Sequence, residues 1–179
     1  MSWVGALALL SLLFAGMSYS EGKSDSAILW IEIAVVIGII AIFIQKEEKK
    51  ANDFLLWLVN NAAAVRNGTA RYDGKLITPA TKVTQFQACF SFLIMTTKSP
   101  SRFFINGHDN LIANGLAYTL VTLVFGWWGL PWGPIYTLET LYRNTVGGHK
   151  QVIGEMIDKI EKATIEMENA EKAKSVHTA

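Results

Sequence analysis

Two runs near the start of the chain, Trp3 to Tyr19 and Ala27 to Ile44, constrain the fold more than any other feature. The first carries no charge and the second only Glu32. At 1.5 Å per residue, each is about long enough to cross the ~30 Å hydrocarbon layer of a bilayer. Between them lies a polar turn, Ser20 to Ser26, so the two together predict a transmembrane helical hairpin. Composition agrees: 51% of the chain is hydrophobic, only 17% is charged, and the mean hydropathy is +0.27, all of which favour an integral membrane protein. A rival reading of the first run is a signal peptide cleaved after Ser20, with Ser18 and Ser20 as the small residues. No Lys or Arg precedes the run, which favours an uncleaved helix. Lys46, Lys49 and Lys50 follow the second run, against Lys23 alone in the turn, so both ends of the hairpin are expected in the cytoplasm.

A net charge of +1 carries no basic excess for nucleic acid. The single cysteine, Cys89, excludes an internal disulfide framework. With no cation among its immediate neighbours, it is expected to be a packed, inert thiol.

Beyond the hairpin, Asn52 or Asp53 is placed to cap a helix running to about Arg66, which either lies in the membrane interface or packs beneath a sheet, packing being favoured. Asp73-Gly74 between two β-prone stretches predicts a two-residue hairpin turn, because both residues tolerate positive φ. From Val83 to Thr97 apolar residues alternate with others (Phe86, Ala88, Phe90, Phe92, Ile94), which predicts one strand. It would turn at Lys98-Ser99-Pro100-Ser101 and pair back through Arg102 to Ile105. A helical alternative stays open, since Thr78-Pro79 is a good helix start and Phe86, Cys89, Phe90, Leu93 and Thr97 share a helical face.

A third apolar segment, Leu111 to Trp128, ends in the run Gly126-Trp127-Trp128-Gly129-Leu130-Pro131-Trp132-Gly133-Pro134-Ile135-Tyr136-Thr137. Glycine and proline stop the helix there, and the aromatic side chains of Trp127, Trp128, Trp132 and Tyr136 are expected as membrane-interface anchors. The segment either crosses the bilayer or enters and returns. Pro134 then starts an amphipathic helix to about Thr145, with Glu139 and Arg143 paired on its exposed side, and Gly147-Gly148 ends it. From Gln151 to about Lys174, apolar residues spaced three and four apart predict an amphipathic tail, with Ile153, Met156, Ile160 and Met167 as a seam for a partner.

No catalytic motif is present, and His108, His149 and His177 stand far apart with no metal-ligand spacing. No metal, cofactor or catalytic residue is expected. Glu32, together with Asn114, Thr119 and Thr122, supplies polar groups within apolar segments. For Glu32 the favoured role is snorkelling or pairing, ahead of an ion path. Ser11 with Ala15, and Ala34 with Gly38, are small residues four apart that permit close helix approach. The sequon Asn67-Gly68-Thr69 falls on the expected cytoplasmic side and is fortuitous.

The tryptophan-glycine-proline run, with Asn144 and Gly147-Gly148 after it, resembles a segment of uncharacterised bacterial inner-membrane proteins. The resemblance covers Ala117 to about Lys150. It implies a bacterial inner-membrane location and transfers no activity.

The expected fold class is therefore membrane α+β. Residues 1–50 form the transmembrane hairpin and 51–110 a small β-containing cytoplasmic unit. Residues 111–149 hold the membrane-embedded helix, its corner and an amphipathic helix, and 150–179 form the tail. The expected protein is a multi-pass, non-catalytic scaffold or complex subunit of the bacterial cytoplasmic membrane. It is expected to self-associate or to bind a protein partner through the C-terminal helix. A small oligomeric channel or transporter is the alternative, with Glu32, Asn114, Thr119 and Thr122 on a shared polar path. A membrane enzyme ranks third and would need Tyr72, Asp73, Lys98, Arg102 and His108 in one pocket.

Overall fold

The computed structural model describes residues 3–92 and 95–177. The chain divides into two compact units, the first ending at Lys49 and the second beginning at Lys50. Helix α1 (Trp3–Ser20) and the long helix α2 (Ser24–Asn60) are joined by a turn at Glu21–Lys23 in which Gly22 has φ 72°. Among the described residues, α2 is the one helix long and apolar enough to cross a membrane. In the first unit Ser11, Ala15, Ala27, Ala34 and Ala41 are buried, and Phe14 stacks on Trp30 at 5.1 Å. Gly38 does not share the close approach expected of it beside Ala34: a Cβ placed there meets nothing within 4 Å.

The break expected near Asn52 does not occur. Nothing between Gln45 and Asn60 stops a helix, and Lys and Glu favour one, so α2 runs through Asn52 and Asp53 without a cap. It ends at Asn60, and a short helix α3 (Ala62–Arg66) follows.

In the second unit, β1 (Ala70–Tyr72) and β2 (Lys75–Ile77) pair antiparallel, Tyr72 opposite Lys75. Asp73 (φ 50°) and Gly74 (φ 74°) close the two-residue turn, the geometry that Asp-Gly favours. The described residues between 83 and 97 form strands and not a helix, but not one strand. β3 (Lys82–Gln85) and β4 (Gln87–Phe92) are separated at Phe86, whose N–H and carbonyl are both taken by Ser101, through Oγ and backbone N–H, each at 2.9 Å. β5 (Met95–Pro100) pairs with β4, so Lys98-Ser99-Pro100 lies in a strand where a turn was expected. Pro100 is tolerated because β5 is an edge. Leu93 and Ile94 fall outside the described residues.

β6 (Phe104–Ile105) and β7 (His149–Val152) flank β3 in a three-stranded antiparallel sheet. β7 was not expected, since the heptad pattern hid it. Helices α4 (Leu111–Phe125) and α5 (Trp132–Thr145) precede it, and α6 (Ile153–His177) follows. The core gathers Phe54, Leu58, Val65, Ala70, Ile77, Val83, Ile105, Ile153, Met156 and Ile157. The start of α6 is thus core, and Ile153 and Met156 are filled by their own chain where the sequence pattern offered them to a partner. Arg66 ties α3 to α6 through Asp158 at 2.9 Å and Glu161 at 2.8 Å.

Gly148 is where the α5–β7 connection presses on β3. Its φ is +73°, and a Cβ there would lie 2.7 Å from the Gln85 carbonyl oxygen and 2.8 Å from a Thr84 methyl. Gly148→Ala is therefore expected to cost about 2 kcal/mol or more, seen as a lower thermal midpoint of the purified protein, while Gly74→Ala, with open space around it, pays for its positive φ alone and falls less.

Candidate membrane interface

Helices α4 and α5 pack on each other and on β4 with their polarity reversed relative to a water-soluble helix. On α5 the buried positions are Gly133, Thr137, Thr140 and Asn144. The exposed ones include Trp132, Ile135, Leu138 and Tyr142, all more than half exposed. On α4 the buried positions are Gly115, Tyr118 and Thr122, and Ile112, Leu116, Leu120, Leu123 and Val124 are exposed. In water, burial of apolar area drives folding. A stripe of small and polar residues inside with leucine, isoleucine and tryptophan outside is the arrangement suited to apolar surroundings.

The buried polar groups are used. Asn144 completes the hydrogen bonding of Gln87, accepting from its N–H at 3.0 Å and donating to its carbonyl at 2.8 Å. Thr122 Oγ1 accepts from the Cys89 N–H at 3.1 Å, and the Thr137 hydroxyl points at the Cys89 sulfur, 3.9 Å away. Burial raises the Cys89 thiol pKa, which suits a packed and unreactive group. Thr140 Oγ1 has no hydrogen-bond partner among the described residues. Close packing at the corner needs glycine: a Cβ on Gly126 would lie 2.6 Å from the Thr122 carbonyl oxygen, and one on Gly133 would lie 2.9 Å from that of Gly126.

α4 stops at Phe125, three residues before Trp128, where Gly126 donates to Thr122 O at 2.8 Å. Its fifteen residues rise about 22 Å, less than the ~30 Å of a bilayer core. α5 begins at Trp132, two residues before Pro134. The anchors expected from sequence are exposed or half-buried: Trp127 is 39%, Trp128 70% and Trp132 51% exposed. Trp128 donates its indole N–H to Val124 O at 2.8 Å, so its polar edge is satisfied within the chain. Trp132 stacks on Tyr136 at 6.0 Å, and the Lys98 ammonium lies 4.4 Å from the Tyr136 ring centre. From Asn110 to Leu138 no charged residue occurs. The first, Glu139, pairs with Lys98 and, at 3.4 Å, with Arg143.

The polar residues offered for a path are divided between the two units. Glu32 is exposed on α2 in the first unit. In the second, the Asn114 amide donates to Asn110 O at 2.7 Å and the Thr119 hydroxyl to Gly115 O at 2.7 Å, while Thr122 bonds Cys89. Of the seam, Ile153 and Met156 are in the core, Ile160 packs against it, and Met167 is 72% exposed. The constellation required of an enzyme is split. Tyr72, Asp73 and Arg102 line one pocket together with Lys75 and Asp109. Lys98 instead joins Glu139, and His108 is exposed in a turn outside that lining. Burial of Asp109 acts to raise its carboxyl pKa, yet hydrogen bonds from Lys75 and the Ile105 N–H leave it lowered overall. The polar stripe of α5 escaped the sequence reading, although the four-three-four spacing of Gly133, Thr137, Thr140 and Asn144 carried the signal. No family model, curated protein or solved structure matches the chain.

Two substitutions separate used from unused polarity. Asn144→Leu strands both backbone groups of Gln87 and is expected to cost about 2–4 kcal/mol. Thr140→Val, nearly isosteric and removing only an unpartnered hydroxyl, is expected to leave stability unchanged or to raise it. Thermal unfolding of the two variants in the same detergent checks both.

Proposed function

We propose that this chain is a non-catalytic, multi-pass protein of a bacterial cytoplasmic membrane, serving as a scaffold or subunit of a membrane complex. On this reading α1 and α2 cross the bilayer as a hairpin. α4 and α5 form a module that enters the membrane from the cytoplasmic side and returns. One observation carries the membrane assignment: the reversed polarity of α4 and the first part of α5, with hydroxyls and an amide inside and an apolar surface outside as far as Leu138, before Glu139. The uncharged stretch from Asn110 to Leu138, the shortness of α4 and the internally satisfied Trp128 indole support entry and return over crossing.

The scaffold reading draws on the far part of α6. Beyond Ile160 its described side chains are exposed, including Ile165 and Met167, so this length of helix is offered to another chain. The channel reading has less behind it, since Asn114, Thr119 and Thr122 spend their hydrogen bonds on their own chain.

Single cysteines at Asn110 and Lys150, in a Cys89→Ala background, test the topology with a membrane-impermeant maleimide. Both are expected to label in inverted vesicles and neither in intact cells; labelling from opposite sides would mean that the segment crosses. Ending the chain at Lys162, past the buried part of α6, is expected to abolish self-association or the co-purifying partner while the protein still folds. If both associations survive the truncation, the scaffold reading fails.

A further inference from the structure

The second unit holds a pocket of about 500 Å³, lined by Lys50 and Phe54 of α2, by Tyr72, Asp73 and Lys75 of the β1–β2 hairpin, and by Arg102, Phe103, Ile105 and Asp109. That is about seventeen times the ~30 Å³ one water takes in the liquid, ample for a headgroup. Three cations face two carboxylates. One carboxylate is already committed: Asp109 takes Lys75 on one oxygen at 2.9 Å and the Ile105 N–H on the other at 2.6 Å. Counted together, the charged lining is Lys50, Lys75 and Arg102 against Asp73 and Asp109, an excess of one positive charge that favours an anion. Arg102 is held in place, its guanidinium carbon 4.9 Å from the centre of the buried Phe104 ring, and a planar guanidinium is suited to the paired oxygens of a phosphate. Phe54, Phe103, Tyr72 and Ile105 supply apolar walls beside the charges, so the pocket suits an amphiphile better than a bare ion.

We infer that this pocket binds a phosphate-bearing anion, and that its occupant is the headgroup of an anionic phospholipid. The choice of a lipid rests on the membrane reading above. It draws on the position of Lys50, which follows Ile44, the end of the apolar run, by six residues. A lysine that close to such a run is within reach of anionic headgroups.

The test uses the full chain purified in neutral detergent, with bound lipid read by native mass spectrometry. The probes are phosphatidylglycerol, zwitterionic phosphatidylcholine and soluble glycerol 3-phosphate. One phosphatidylglycerol per chain is expected to be retained, about tenfold more than phosphatidylcholine. Lys50→Gln and Arg102→Gln are each expected to lower that retention about tenfold, the loss of one charge-assisted hydrogen bond. Lys159→Gln, an exposed change on α6, is expected to leave it unchanged. Lys50 is exposed on a helix, so its variant remains informative even if removing Arg102 from the Phe104 ring disturbs folding. Glycerol 3-phosphate binding with the same sensitivity to Lys50→Gln, without phosphatidylglycerol retention, upholds the phosphate site and assigns it a soluble ligand. Equal retention of the two lipids, or retention of every probe unchanged by Lys50→Gln, overturns the site. Flotation on liposomes of phosphatidylcholine alone scores the membrane reading separately: a chain that floats but shows no Lys50 dependence keeps the membrane and loses the pocket, and a chain that stays in solution yet binds glycerol 3-phosphate does the reverse.

Discussion

The hydrogen bonds between the buried faces of α4 and α5 and the backbone of β4 are what the rest of this protein's character depends on. Asn144 satisfies both backbone groups of Gln87, and Thr122 satisfies Cys89. Hydrogen bonds of this kind gain strength where water is excluded. They let the helices turn polar residues inward, and that in turn leaves Ile112, Leu116, Leu120, Ile135 and Leu138 outside. Apolar packing alone would have placed the same helices the other way round. The corner glycines complete the arrangement, because Gly126 and Gly133 allow the two backbones to approach where any side chain would collide.

Around this module the second unit follows ordinary rules. Phe54 and Leu58 from the end of α2, Ile77 from β2, Val83 from β3 and Ile153, Met156 and Ile157 from α6 build an apolar core, and three small antiparallel sheets carry the connections. Reversed polarity and water-type packing thus coexist in one compact unit, and charge marks the change between them. The stretch without charge ends at Glu139, where Lys98 and Arg143 meet it.

Features whose signal is local were legible in the sequence. The Asp73-Gly74 turn needs only two residues, and the long apolar part of α2 is a matter of composition. The corner was recognised from tryptophan, glycine and proline, though α4 ends three residues earlier and α5 starts two residues earlier than the pattern suggested. Features set by distant partners were not legible. Phe86 interrupts the strand because Ser101, fifteen residues on, takes its backbone groups. β7 exists because β3 is there to pair with it, and the heptad spacing of α6 cannot distinguish a seam for another chain from one that fills its own core. The same holds for the site. Trp127, Trp128 and Trp132 stand out by rarity, whereas the roles of Thr122, Thr137 and Asn144 depend on β4 lying beneath them.

The reversed module is tested most directly by the depth of its tryptophans. With Trp3, Trp30 and Trp57 replaced by phenylalanine, the remaining fluorescence comes from Trp127, Trp128 and Trp132 alone. In liposomes made with lipids brominated along the acyl chain, strong quenching is expected together with weak quenching by aqueous acrylamide. Strong acrylamide quenching with no effect of the brominated chains would contradict membrane entry by α4 and α5.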